Sequence, residues 1–128
     1  MSAWEEYRST ARARGAPACE FYAALSEPQG DTEAMRAALP DHLAYQAELE
    51  RRGALVMAGP LSDTAGTAPA GIGLIIYRAA SLEAARALAE ADPMHASAAR
   101  RFTLRRWMVN EGSLGLQVAL SGARVEFS

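Results

Sequence analysis

Two segments, Ala54 to Leu61 and Gly71 to Tyr77, constrain the possible folds of this chain more than any other part of it. Leu55, Val56, Met57 and Ala58 are apolar in succession, and so are most positions of the second segment, among them Ile72, Leu74, Ile75 and Ile76. The nine residues between, Ser62 to Ala70, are rich in Gly, Thr, Asp and Pro, so the pattern predicts two strands joined by a loop. Side chains alternate across a strand, so a continuous apolar run puts apolar surface on both faces of its sheet. Each Å² left in water costs about 25 cal/mol, so both faces need a cover.

The remaining periodicities say what covers one of them. Ser2 with Glu5 makes a capping pattern that predicts a helix over Ala3 to Arg14, ended by Gly15. Cys19, Phe21, Ala23 and Leu25 alternate with their neighbours as a first strand, and Cys19 is expected to be a small buried side chain on that face. Asp31 is placed to cap a brief helix through Leu39, and Pro40 to start a second one over Asp41 to Arg52, closed by Gly53. Ser81 opens the clearest helix, with Leu82, Ala85, Leu88 and Ala89 as its apolar stripe. Asp92-Pro93 interrupts it, a short turn or helix runs to Ala99, and Arg101 to Val109 alternates as a strand. Ser113 to Leu120 and Ala123 to Phe127 read as an added pair.

At 128 residues the chain is expected to be a single domain, 1–128, with a core over about 17–109. The order strand, helix, strand, strand, helix, strand predicts an α+β fold, the ferredoxin-like βαββαβ antiparallel sheet with helices on one face, extended by an N-terminal helix and a C-terminal hairpin. Helices in this order leave the second apolar face bare. A homodimer that packs two sheets about a twofold axis is the expected remedy.

Composition narrows the partners. A formal charge of -2 excludes a strongly basic nucleic-acid binder. Arg100, Arg101, Arg105 and Arg106 alternate between faces without an aromatic ladder, so a solvated or interface role is expected for them, and Phe102 and Trp107 read as core or interface residues. One cysteine and two histidines, His42 and His95, offer no metal site, and no phosphate-binding loop is present, so no cofactor is expected. The absence of a long apolar run, and Trp4, Glu5, Glu6 and Arg8 near the start, lead to the expectation of a cytoplasmic protein without a membrane partner.

Few residues remain for chemistry. His42 is read in the first turn of the second predicted helix, on the side of Leu39, Tyr45 and Leu49, where a helix N-terminus would favour the neutral imidazole. A half-buried structural histidine is the plainer alternative. Asp92 continues the apolar stripe of Ala85, Leu88 and Ala89, an acid where a core residue is expected; it fits a helix cap, an orienting partner for an imidazole, or both.

Three motifs in order, Pro-Asp-His-Leu-Ala-Tyr at Pro40 to Tyr45, Gly-Ala-Leu-Val-Met-Ala-Gly-Pro-Leu at Gly53 to Leu61, and the helix from Ser81 ending in Ala-Asp-Pro at Pro93, closely resemble the YciI-like (YCII-related) family. The resemblance covers about Phe21 to Trp107. It implies a dimeric α+β barrel type of ferredoxin-like fold, similar to muconolactone isomerase, with a pocket holding a His-Asp pair. By motif the catalytic pair is His42 and Asp92, and His95, Tyr45, Gly59 and Pro60 are the expected substrate-binding residues. The implied function is a small cofactor-independent, metal-free enzyme in which the pair transfers a proton, of lyase, isomerase or hydrolase type, on a small organic, aromatic or lactone-like molecule. The alternatives are a non-catalytic dimeric module that binds a small ligand or a protein, and, by fold analogy alone, a haem- or quinol-handling monooxygenase.

Overall fold

The computed structural model describes residues 1–127, at residue 127 the backbone only. Two compact units are distinguished, residues 20–107 and the two terminal segments that flank them.

The larger unit contains β1 (Cys19–Pro28), α2 (Thr32–Arg51), β2 (Leu55–Ser62), β3 (Pro69–Tyr77), α3 (Leu82–Ala91), α4 (Pro93–Ala96) and β4 (Arg100–Val109), the terminal residues of β1 and β4 extending beyond it. The sheet order is β2-β3-β1-β4, with β3 antiparallel to both β1 and β2. This is the expected ferredoxin-like α+β arrangement. Tyr22 and Ala24 pair with Tyr77 and Ile75 and project into a core shared with Leu49 of α2 and Ala85 and Ala89 of α3. Phe102 and Leu104 of β4 pack against the same cluster.

Two local expectations are overturned. The breaks foreseen around Pro40 do not occur, since α2 runs unbroken from Thr32 to Arg51 with Pro40 inside it. Asp31 caps its start, Oδ1 accepting from the Ala34 amide at 2.8 Å, and Tyr45 and Leu49 anchor its second half in the core. Pro40 therefore removes one backbone hydrogen bond without ending the helix. In β1 the alternation is present but its buried phase is the opposite one: Tyr22, Ala24 and Ser26 are buried, and Cys19 is exposed.

The second face of the sheet is open only in part: Leu25, Met57 and Leu61 lie on the face opposite the core cluster and Met57 keeps 49% of its surface exposed, whereas Ile76, paired with Met57 on that face, is buried. Trp107 of β4 is 44% exposed.

The other unit contains α1 (Ala3–Ala13), capped by Ser2, whose Oγ accepts from the Glu5 amide, and an antiparallel pair, β5 (Leu116–Ala119) and β6 (Arg124–Phe127). The pair is shorter than the sequence pattern suggests and forms its own two-stranded sheet. Among the described residues, no helix is long and apolar enough to cross a membrane.

Candidate functional site

Helix α2 presents two stripes. Tyr45 and Leu49 enter the core, while Leu39, His42, Leu43 and Gln46 line a cleft of about 370 Å³ whose other wall is the β2–β3 hairpin, including Ala58, Gly59, Pro60, Ile72 and Leu74. His42 lies at the border of the stripes. Its ring faces the cleft and also reaches across to Asp92, at the junction of α3 and α4.

Nδ1 of His42 is 2.7 Å from Asp92 Oδ1 and 2.9 Å from Oδ2. A carboxylate only accepts, so Nδ1 carries the proton and Nε2 is the ring nitrogen left for the cleft. Asp92 is 1% exposed. Its Oδ1 also accepts from the Met94 amide at 2.9 Å, which caps α4, with Pro93 at the first helical position. One carboxylate thus ends α3, starts α4 and fixes the imidazole. The continuity of α2 places His42 away from any helix end. The residue sits in mid-helix, and the buried carboxylate is the partner that orients its ring.

The other expected site residues divide. Gly59 and Pro60 line the cleft. Tyr45 does not: its hydroxyl donates to the Leu88 carbonyl at 2.7 Å and ties α2 to α3, and burial is the main cause that raises its pKa. His95 is not among the lining residues either. Nδ1 of His95 is 2.7 Å from the Ala89 carbonyl, Nε2 is 2.8 Å from Ser26 Oγ, and the ring stacks at a tilt on Phe102. A carbonyl only accepts, so Nδ1–H donates and Nε2 of the neutral ring accepts from the Ser26 hydroxyl. Burial holds His95 below the ordinary histidine range, which favours this neutral form.

The cleft also contains residues that the sequence does not point to as part of a site, among them Ser26 and Arg100. Arg100 is not a solvated side chain. It begins β4 on the face of Phe102 and Leu104, and its guanidinium turns into the cleft. Nε donates to Ser26 Oγ at 3.0 Å, and the terminal nitrogen Nη2 donates to the carbonyls of Ser26 and Gly71 at 2.8 and 2.6 Å. A polar residue on the strand face of Tyr22 and Ala24 was the available signal for Ser26. Local alternation hides it by favouring the opposite face of β1 as the buried one. Among the described residues, no group of three His, Cys, Asp or Glu side chains is placed to hold a metal ion.

The model of the YCII-related domain matches residues 20–108. Among solved structures the chain is similar to 5-chloro-2-hydroxyhydroquinone dehydrochlorinase from Burkholderia phenoliruptrix AC1100, in complex with 2,5-dihydroxybenzoquinone, with 17% identity over 66% of this chain and 92% of that one and a TM-score of 0.44. No curated protein matches the chain in sequence.

Proposed function

The chain belongs to the YCII-related family, and from that premise we propose that it is a small enzyme in which His42 transfers a proton to or from a small organic molecule held in the cleft. The observation that carries this reading is the contact of His42 Nδ1 with both oxygens of buried Asp92 while the same ring lines the cleft. With Nδ1–H committed to the carboxylate, Nε2 keeps its lone pair toward the substrate. When it accepts a proton, the imidazolium stands against an acid only 2.7 Å away, which stabilises the charge as it forms. A positioned base of this kind supplies roughly 100- to 10,000-fold, enough for a substrate whose proton is already acidic. Leu39, Leu43, Ala58, Pro60, Ile75 and Met94 make the walls apolar, which suits an aromatic or lactone-like body, and the volume lies in the range of small-molecule sites.

We assign the chain to homodimers on a separate ground. The open sheet face carries Leu25, Met57 and Leu61, and a second copy is the economical cover for it. Light scattering at micromolar concentration reads two chains if this holds and one if it fails.

The catalytic reading is tested with a panel of lactones, quinols and halogenated phenols, following deuterium incorporation, ring opening and halide release. Turnover of a panel member that disappears in His42→Gln and Asp92→Asn supports it. Ligands that bind without any turnover above buffer would leave the non-catalytic binding module instead.

A further inference from the structure

Among the described residues, Arg100 is the one guanidinium that lines the cleft, and the manner in which it is held bears on what the cleft takes. Every oxygen it touches is neutral: the Ser26 hydroxyl, the Ser26 carbonyl and the Gly71 carbonyl. An arginine has five N–H donors, and these contacts use three of them. The other terminal nitrogen, Nη1, meets only the Met35 thioether at 3.3 Å, a weak acceptor. A fixed cation with donors unspent on oxygen therefore stands in a cleft whose other walls are mostly apolar.

The surrounding chain builds this arrangement with some care for direction. Ala89 accepts from His95 Nδ1–H, His95 Nε2 accepts from the Ser26 hydroxyl, and this leaves the Ser26 lone pairs to accept from Arg100 Nε–H. On the other side, Gly71 has φ +80° at an irregularity in the β2–β3 pairing, where the partner of Leu61 is Ile72 and that of Ser62 is Pro69. Its carbonyl thereby leaves the ladder and meets Arg100. Both arrangements orient the guanidinium.

We propose that Arg100 is an anion-holding residue of this cleft, so that the ligand is a small organic acid, enol or phenol with an apolar body and one anionic oxygen seated on Nη1. The proposal rests on the cleft being the functional site and deepens that reading by naming the substrate class. In the reaction it places a positive charge where a proton taken by His42 Nε2 would leave negative charge on the substrate oxygen. His95 and Ser26 are positioning residues, acting through Arg100.

The test uses the full chain with benzoate and its neutral isostere benzamide, titrated by calorimetry. The wild type is expected to prefer benzoate by about tenfold to a hundredfold, the range that a hydrogen bond to a charged group supplies. Arg100→Gln abolishes the preference while benzamide still binds, and Arg100→Lys restores part of it, since lysine keeps the charge and loses the fork. The Arg100 Nε–H resonance of the wild type shifts on adding benzoate and not benzamide, a readout that stands even if a variant does not fold. No benzoate binding, no preference in the wild type, or a preference intact in Arg100→Gln overturns the proposal. Anion binding without turnover of any panel member thus sinks the catalytic reading alone, and turnover without the preference sinks this one alone.

Discussion

Oδ1 of Asp92 lies 2.7 Å from His42 Nδ1 and 2.9 Å from the Met94 amide, so one atom serves both a side chain fifty positions away and the first turn of α4. The double use follows from position. A cap residue must stand just before a helix, and this helix begins where α3 ends, beneath the middle of α2.

The two services of Asp92 separate under mutation. A serine can cap α4 and is too short to hold His42, whereas an alanine does neither. Asp92→Ala is therefore expected to be less stable than Asp92→Ser by about 0.5 to 2 kcal/mol in thermal or urea melts. Both should lose proton transfer to the same extent. Full activity in Asp92→Ser would end the pairing role.

The tautomer of His42 is open to direct measurement. Long-range ¹⁵N correlation spectra of the neutral ring should report the proton on Nδ1, because both carboxylate oxygens lie within 3 Å of it. In Asp92→Ala the preference should relax to a mixture of tautomers. A wild-type ring protonated on Nε2 would contradict the proposed direction of transfer.

His95 links stability to pH. Burial lowers its pKa below the 6.5 of an unfolded histidine, opposed by the Ala89 carbonyl and Asp92 and assisted by His42 and Arg100. Above about pH 6.5 both states are neutral and this contribution is fully present. As pH falls through that value the unfolded chain binds the proton first, so stability drops until the folded ring titrates. Melts of the wild type and His95→Gln between about pH 5 and 7 should converge at the upper end, apart from a constant offset, and diverge toward the lower, with the wild type showing the steeper loss. Parallel curves would remove His95 from the balance.

Gly71 is the weak point of the Arg100 cradle. At φ +80° a Cβ finds only Pro28 Cγ, at 3.8 Å, so the cost of Gly71→Ala is backbone strain, about 1 to 2 kcal/mol, and not a clash. Relief of that strain would swing the carbonyl off Arg100. The variant is expected to melt lower and also to lose part of the benzoate preference. An unchanged preference would show that the carbonyl does not help to aim the guanidinium.

Local order and the identity of the His-Asp pair are written in the chain. Helix caps at Ser2, Asp31 and Ser81, the loop between β2 and β3, and the acid at Asp92 in an apolar stripe all depend on neighbours within a few residues, and such signals survive without tertiary context. The continuity of α2 through Pro40, the buried phase of β1 and the recruitment of Ser26 and Arg100 were decided only in three dimensions. Each turns on a contact between distant segments. Core packing of Tyr45 and Leu49 holds a helix that a local rule would break, and the pairing of Tyr22 and Ala24 with Tyr77 and Ile75 selects which side of an alternating strand goes inward. Periodicity states that a strand has two faces. Only the layer packed against it says which one is buried, and therefore which polar residues meet a cleft.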